Sequence, residues 1–293
     1  MRSRMLATDV LLLGAVVLWA FNFPVTKYLL RHFDPLAYGA VRYGAAAVLM
    51  AALVLAAERT LAVRGSWRLV ALAVGTLLLN QVCFVYALDL TTAATAALIL
   101  GTTPVFTVLI SHATGVESLS ARFWIAATVS FGGVALVAAG SGGELSGDLG
   151  GNLLAVGMAA TWAAYSVSIA PLMVGNSPYR VSALVLVALW PFLLALAAPQ
   201  LADQEVGSLG VGVWAALAYA VVGPLVLTNL LWFTAIGRVG PSHAAIFGNL
   251  LPFAAALLAV ALLDESLSAA QVVGGALIAL GIVVVRSRSA APN

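Results

Sequence analysis

Long apolar stretches separated by short polar breaks fill the chain. A helix needs roughly 20 mostly apolar residues to cross a bilayer, and dividing the chain at its charged residues, glycines and prolines leaves ten stretches near that length. They cover residues 10–30, 35–57, 69–88, 93–111, 123–140, 152–174, 179–198, 211–236, 244–263 and 271–285. Little sequence remains between them, so we expect an all-α integral membrane protein with ten transmembrane helices and no soluble domain.

The two halves of the chain repeat each other. Residues 100–120 align with residues 248–268 at an offset of 148, which pairs Pro104 with Pro252 and the tetrapeptide ESLS with itself. Other pairs are Gly133 with Gly281 at the same offset, and Gly14, Trp19 and Pro35 with Gly157, Trp162 and Pro178 at an offset of 143. We therefore expect two five-helix repeats, residues 1–145 and 146–293. Because five is odd, the second repeat enters the membrane from the opposite side, and such inverted repeats are typical of secondary transporters.

The basic residues predict the orientation in the membrane. With the amino terminus in the cytoplasm, ten of the thirteen Lys and Arg residues fall on the cytoplasmic side, in agreement with the positive-inside rule. They are Arg2, Arg4, Arg59, Arg64, Arg68, Arg122, Arg180, Arg238, Arg286 and Arg288. An even number of spans then places both termini in the cytoplasm.

Composition excludes several other classes of protein. The chain is 63% hydrophobic and 8% charged, with a mean hydropathy of +1.08, whereas soluble domains carry about 25% charged residues. A net charge of +2 gives no indication of a nucleic-acid partner, and a single cysteine, Cys83, excludes an intrachain disulfide. His32, His112 and His243 are scattered and no HExxH or GxSxG motif occurs. We expect no catalytic site, no metal and no cofactor.

The stretch WAFNFPVTKYLL, residues 19–30, places polar side chains where a helix should cross the hydrocarbon. Trp19, Asn22 and Thr26 recur at helical spacing and therefore share one face. Because polar groups are costly in lipid, we expect this face to line a central cavity. The alternative is that Asn22 hydrogen-bonds to a neighbouring helix and that Lys27 extends to the outer headgroups.

Arg42 lies seven residues after the start of the second predicted span, about 10 Å deep at 1.5 Å per residue. Arginine suits bidentate contact with an oxyanion, so Arg42 and Lys27 are predicted to bind a substrate carboxylate or phosphate. The alternative is that Arg42 pairs with Asp34 or with a carbonyl at a helix C-terminus. The sequence does not decide between the two.

Matched positions in the two halves supply further candidates. Gln81 pairs with Asn229, and Phe84 with Trp232, at the offset of 148. A pseudo-symmetric cavity needs such polar and aromatic positions in both halves, although each aromatic alone can simply fill a helix interface. The predicted substrate-binding residues are Trp19, Asn22, Lys27, Arg42, Gln81, Phe84, Tyr86, Trp162, Tyr165, Asn229, Trp232 and Asn249. Pro104 and Pro252 are predicted hinges because each interrupts a span beside polar side chains.

Several stretches of the chain resemble the EamA-type members of the drug/metabolite transporter superfamily. They are LWAFNFPVTK at 18–27, AVRYGAAAVL at 40–49, FVYALDLTTAATAALILGTTPVFTVL at 84–109 and LLWFTAIGRVGPSHAAIFGNLLPFAAALLAVALLDESLS at 230–268. The resemblance implies ten helices in two inverted repeats around a central cavity, in the cytoplasmic (inner) membrane of a bacterium. The second repeat lacks a basic pair equivalent to Lys27 and Arg42, so an anion site is expected to be one-sided and nearer the outer face.

These features together predict a secondary transporter of small metabolites that works by alternating access as an exporter or facilitator. Every Asp and Glu falls near a span end or in a loop, so a proton-carrying carboxylate at the membrane centre is not predicted. Amino acids, including aromatic and hydrophobic ones, are the first expected substrates, and sugars, nucleosides, vitamins or drug-like solutes remain alternatives. A membrane protein with a structural role, or a homodimer formed through small residues such as Gly275 and Ala279, is also compatible with the sequence.

Overall fold

The computed structural model describes residues 2–114, 121–140, 145–205, 207, 209–239 and 247–286, and within these ranges it contains helices and no strands. The α-helices are α1 (Arg2–Leu29), α2 (Pro35–Glu58), α3 (Trp67–Leu90), α4 (Ala93–Leu100), α5 (Thr103–Ala113), α6 (Ala121–Ala139), α7 (Leu145–Met173), α8 (Pro178–Asp203), α9 (Val211–Val221), α10 (Thr228–Val239), α11 (Leu251–Leu263) and α12 (Ala269–Arg286). A π-helical segment, Val222–Leu227, joins α9 to α10.

Six of the described helical stretches are long and apolar enough to cross a membrane. They are Leu6–Leu29, Pro35–Glu58, Trp67–Leu90, Leu149–Met173, Pro178–Asp203 and Val211–Ile236. The pair Ala93–Leu100 and Thr103–Ala113 makes a seventh if the two bent helices count as one span. Three shorter apolar helices, Trp124–Ala139, Leu251–Leu263 and Ala269–Gly281, lie in the remaining predicted spans. The predicted start of the ninth span, at residue 244, lies outside the described residues.

Prolines at equivalent positions begin helices in both halves. Pro35 and Pro178 are the first residues of α2 and α8, and Pro104 and Pro252 are the second residues of α5 and α11. The first turn of a helix has no intrahelical partner for its N–H groups, so a residue without an N–H costs nothing there. The repeated prolines therefore fix where these four helices start.

Two of the predicted spans are not continuous α-helices in the structure, and the first break lies within three residues of the predicted hinge Pro104. The span 93–111 is broken at Gly101 and Thr102, where α4 and α5 meet at a bend of 40°. The span 211–236 contains the π-helical segment around Pro224, whose missing N–H cannot continue the α-helical ladder. The indole of Trp19 donates a hydrogen bond to the Pro224 carbonyl at 3.2 Å.

Equivalent helices of the two halves pack against each other and run antiparallel. At one end of the α2–α8 pair, the Leu36 amide donates to Gln200 Oε1 at 2.7 Å. At the other end, Arg180 forms an ion pair with Glu58 at 2.7 Å. Residue numbers therefore rise along α2 as they fall along α8.

The equivalent helices α6 and α12 are also antiparallel, and their individual contacts show it. A Cβ added to Gly133 would lie 2.6 Å from the Gly274 carbonyl oxygen and 2.9 Å from the Ile278 side chain, while Gly281 faces Ser130 and the Ala126 carbonyl. Adding 148 to the numbers of Ala126, Ser130 and Gly133 gives those of Gly274, Ile278 and Gly281. The two sets of contacts therefore exchange under the repeat offset. Contacts that exchange in this way relate the two helices by an approximate two-fold axis. Since the helices are antiparallel, this axis is perpendicular to them.

The two halves also interlock through their first and third helices. In the first half, α1 packs against α9, the π-helical segment and α10 of the second half, and in the second half α7 packs against α3 of the first. The Tyr219 hydroxyl of α9 donates to the Leu18 carbonyl at 2.7 Å, and Asn80 of α3 donates to the Met158 carbonyl of α7 at 2.9 Å. A polar side chain in the middle of α1 or α3 therefore lies at the boundary between the halves.

Candidate functional site

A buried polar cluster surrounds Arg42 where α1, α2 and α3 meet. Arg42 Nη1 donates to Asn22 Oδ1 at 3.2 Å and to the Tyr38 hydroxyl at 3.0 Å, and Nη2 donates to Gln81 Oε1 at 2.9 Å. We call Asn22, Tyr38, Arg42 and Gln81, with Thr26 and Asn80 beside them, the Arg42 cluster. Each of the six is less than 9% exposed, so none of them faces lipid.

Helical spacing brings the members of the Arg42 cluster together. Asn22 and Thr26 are one turn apart on α1, and the Thr26 hydroxyl lies 3.4 Å from Asn22 Oδ1 and 2.8 Å from the Tyr38 hydroxyl. Tyr38 and Arg42 are likewise one turn apart on α2. Gln81 Nε2 donates to Asn80 Oδ1 at 3.0 Å. Because Asn80 in turn binds the Met158 carbonyl of α7, the cluster reaches from the first half into the second.

Within the part of the chain that the structure describes, no acidic side chain hydrogen-bonds to Arg42 or forms an ion pair with it. All three of its hydrogen-bond acceptors are neutral, and Nε is buried without a partner. Removing an ion from water costs several kcal/mol, which hydrogen bonds of about 1.5–3 kcal/mol each to a charged group can offset. The rings of Tyr38, Tyr43 and Phe84, whose centroids lie 5.0, 5.2 and 5.3 Å from the guanidinium carbon, add cation–π attraction. Among the described residues, the cation is thus held in place by neutral groups, and no counter-anion is bound to it.

The structure favours neither structural alternative for Arg42, since its hydrogen bonds go neither to Asp34 nor to a helix C-terminal carbonyl. Two residues of the site, Tyr38 and Tyr43, were missed from the sequence. Tyr38 could have been found, because it precedes Arg42 by four residues and so lies on the same helical face. Tyr43 gave no such signal, because neighbouring residues of a helix point in different directions.

Lys27 lies at the end of α3 rather than among the hydrogen-bond partners of Arg42. Its ammonium donates to the carbonyl oxygens of Leu88, Asp89 and Thr91 at 2.6, 3.1 and 2.9 Å. A cation at a helix C-terminus interacts favourably with the helix dipole and supplies donors to the last carbonyls. The structure therefore does not bring Lys27 and Arg42 together on one anion.

Glu265 binds the turn between α3 and α4 at the start of α4, whereas Lys27 binds it at the end of α3. Its two carboxylate oxygens accept hydrogen bonds from the amides of Ala93 and Ala94, both at 2.9 Å. These amides open α4, where a negative charge is stabilising. The turn between α3 and α4 is thus held by a cation from α1 and by an anion from the segment that follows α11.

Replacing Glu265 by Gln should lower the free energy of unfolding by about 1–2 kcal/mol, because the amide keeps only one acceptor oxygen and loses the charge at the helix N-terminus. Thermal unfolding in detergent measures the effect. Asp264→Asn is the matched control, since Asp264 is exposed and has left-handed backbone, φ 55°, which Asn tolerates. Equal midpoints for the two variants would contradict a clamp by Glu265.

The predicted aromatic residues form two separate groups. Trp19 packs against Trp232 with ring centroids 5.1 Å apart, which joins α1 to α10. Trp162 packs against Tyr165 at 5.5 Å within α7, and both lie against the apolar core between α2, α3 and α8. Phe84 is the predicted aromatic residue that faces Arg42.

The remaining predicted residues lie outside the Arg42 cluster. The Tyr86 hydroxyl accepts a bond from Gln200 of α8 at 3.2 Å, and the Asn229 amide donates to the Leu225 carbonyl of its own helix at 2.6 Å. Asn249 lies in the turn before α11. His112 is exposed, and His243 lies outside the described residues. Among the described residues, no group of three or more His, Cys, Asp or Glu side chains could hold a metal ion.

Comparison with known proteins identifies the family. The model of the EamA-like transporter family matches the chain twice, over residues 6–139 and 149–287. Two Bacillus subtilis (strain 168) proteins described as uncharacterized transporters are similar over nearly their whole length. YyaM is 25% identical over 281 residues, which is 94% of this chain and 92% of YyaM. YvbV is 26% identical over 303 residues, which is 97% of this chain and 93% of YvbV.

A crystal structure shares the fold, with a TM-score of 0.68 and 21% identity over 98% of this chain and 99% of that one. Apolar helices, a duplicated family domain and relatives described as transporters agree. The chain is therefore a multi-pass membrane transporter and belongs to the EamA-like transporter family.

Proposed function

We propose that this protein is a secondary transporter that moves small metabolites by alternating access, with amino acids, including aromatic and hydrophobic ones, as its first substrates. The observation that carries the proposal is the antiparallel packing of equivalent helices around a buried, uncompensated arginine. Two equivalent halves that exchange conformations give an inward-open and an outward-open state around one central site.

The helix arrangement supports ten spans in two inverted repeats. The six long spans, the bent pair α4–α5 and the three shorter helices α6, α11 and α12 occupy the ten predicted stretches in order. The antiparallel pairs α2–α8 and α6–α12 are those expected when the second repeat is inverted. In this proposal the protein lies in the cytoplasmic membrane of a bacterium with both termini in the cytoplasm, as the distribution of basic residues indicates.

The chemistry of the Arg42 cluster supports an anionic group on the substrate. A buried cation without a counter-anion favours the binding of one, and Phe84, Tyr38 and Tyr43 surround it with aromatic surface. An amino acid with an apolar side chain offers both a carboxylate and a surface for such rings.

Flux through the protein reconstituted in liposomes tests the proposal. Counterflow of radiolabelled amino acids, sugars, nucleosides and vitamins into loaded vesicles should be fastest for amino acids, with phenylalanine and leucine among them. Vesicles without protein give the background. Movement of sugars or nucleosides but not of amino acids would contradict the substrate class, and movement of no solute in the panel would contradict transport.

A further inference from the structure

We propose that Arg42 binds a single carboxylate group of the substrate and that the site makes no matching demand for an ammonium group. This inference rests on the proposed transport function and narrows its substrate class. Aromatic and apolar monocarboxylates, with or without an α-amino group, are then ligands of the same site.

The donor count of Arg42 leaves room for one oxyanion. A guanidinium carries five N–H donors, and Arg42 uses three of them, two on Nη1 and one on Nη2. Nε is buried without an acceptor, although the Tyr43 hydroxyl also interacts with the guanidinium. A carboxylate that accepts from Nε–H can accept from the neighbouring Nη2 as well, in the bidentate pair that arginine forms with carboxylates.

The charge balance favours a monoanion over a phosphate dianion. Arg42 brings one positive charge to the cluster, and all of its acceptors are neutral. Lys27, on the same helix as Asn22, binds the carbonyls of Leu88, Asp89 and Thr91 at the C-terminal end of α3. A carboxylate therefore neutralises the site, whereas a phosphate dianion brings a second negative charge that no described basic residue receives.

The same hydrogen bonds explain why an ammonium group on the substrate would add little to the free energy of binding. The side-chain oxygens of Asn22, Tyr38 and Gln81 all accept hydrogen bonds from the guanidinium, so they face a positive charge. None of these three side chains forms a hydrogen bond with an Asp or Glu in the part of the chain that the structure describes. A second cation near Arg42 would meet repulsion and no carboxylate.

The structure shows the Arg42 guanidinium enclosed by protein. Arg42 is 2% exposed, with the rings of Tyr38, Tyr43 and Phe84 around its guanidinium. In the empty state the neutral acceptors hold the cation, and a substrate carboxylate reaches Nε when the halves separate. The rings are then positioned to contact the apolar part of the substrate.

Binding of three related ligands to the purified wild-type protein tests the inference without any mutation. The probes are L-phenylalanine, 3-phenylpropionate, which lacks the ammonium, and phenethylamine, which lacks the carboxylate. Isothermal titration calorimetry should give similar affinities for the two carboxylates and an affinity about 30-fold lower for the amine, as expected for loss of a charge-assisted bidentate contact.

Variants then locate the carboxylate. Arg42→Gln should bind both carboxylates about 30-fold more weakly. Arg42→Lys should recover part of this loss, because lysine restores the positive charge but lacks the paired N–H donors of a guanidinium. Arg31→Gln, at an exposed position, is the matched control and should bind like the wild type. Cooperative thermal unfolding of each variant shows that it is folded.

Two results would overturn the inference and leave transport standing: phenylalanine binds but 3-phenylpropionate does not, or folded Arg42→Gln binds both carboxylates like the wild type. Failure of all three probes to bind, while another solute moves through the wild-type protein in vesicles, would overturn it as well. The flux panel separates these outcomes from a failure of the transport function itself, in which no solute moves.

Discussion

Alanine at Gly133 or Gly274 should destabilise the protein by roughly 2–3 kcal/mol, because the crossing of α6 and α12 has no space for a methyl group. A Cβ on Gly274 would lie 2.8 Å from Val137 Cγ2 and 2.9 Å from the Val137 amide, and would also meet the Gly133 carbonyl oxygen. Backbone atoms cannot rotate away as a flexible side chain can, so the two helices must move apart. Thermal or denaturant unfolding in detergent measures the loss.

Gly132→Ala is the matched control for this prediction. It lies beside Gly133 on α6, but nothing lies within 4 Å of an added Cβ there. Alanine has the higher helix propensity, so this variant should be as stable as the wild type or slightly more stable. If Gly133→Ala and Gly132→Ala unfold at the same midpoint, the close antiparallel contact between equivalent helices is wrong.

Replacing Gln81 by Leu should cost about 3 kcal/mol, more than replacing Arg42 itself by Met. The first change leaves a buried cation without one of its three acceptors, and the desolvation cost of the charge is then less well offset. The second change removes the charge and leaves only neutral groups unpaired, at a cost of about 1–2 kcal/mol. The order of the two effects therefore reports whether Arg42 is charged and buried.

The double variant Arg42→Met/Gln81→Leu makes the prediction sharper. Once the charge is gone, the loss of its acceptor matters little, so the double variant should be about as stable as Arg42→Met alone. The coupling free energy between the two sites should then be about 3 kcal/mol, the whole cost of Gln81→Leu in the presence of Arg42. Additive effects would show that Gln81 does not stabilise the cation of Arg42.

Much of the fold could be predicted because membrane helices have a length and hydropathy that lipid imposes. The helix that begins at Pro35 starts where the second span was predicted, the helix that begins at Pro178 starts one residue before the predicted seventh span, and the span Val211–Ile236 agrees with its predicted bounds. The fourth span was predicted to be interrupted at Pro104, and the structure breaks it three residues earlier at Gly101, whereas the π-helical turn near Pro224 was not predicted. The π-helical turn depends on which neighbouring groups hydrogen-bond to its backbone, as the indole of Trp19 does to the Pro224 carbonyl, and hydropathy carries no such information.

The candidate site was predicted in part, because helical spacing decides which residues of one helix share a face. The depth of Arg42 and the shared face of Asn22 and Thr26 follow from helical spacing, and the structure brings these residues together. The partners of Lys27 lie more than 60 residues away in sequence, at the end of α3. One-dimensional spacing could not distinguish a lysine that binds those carbonyls from one that joins Arg42. The roles of these residues in substrate binding remain predictions that the ligand series above tests.

The central claim is that water and substrate reach the Arg42 cluster from each side of the membrane in turn, and cysteine accessibility tests it most directly. Thr161, whose hydroxyl lies 3.3 Å from Asn80 Nδ2, would be replaced by Cys after Cys83, the single cysteine, is replaced by Ala. Leu79→Cys, at a position 54% exposed on the outside of the bundle, is the control.

A charged, membrane-impermeant thiol reagent reacts with the thiolate, which forms in water and not in lipid. We predict that Thr161→Cys is labelled from both sides, in right-side-out and in inside-out vesicles, and that a transported carboxylate slows the labelling, while Leu79→Cys stays unlabelled. Labelling of Thr161→Cys from one side alone, or from neither, in the presence and absence of substrate, would contradict alternating access.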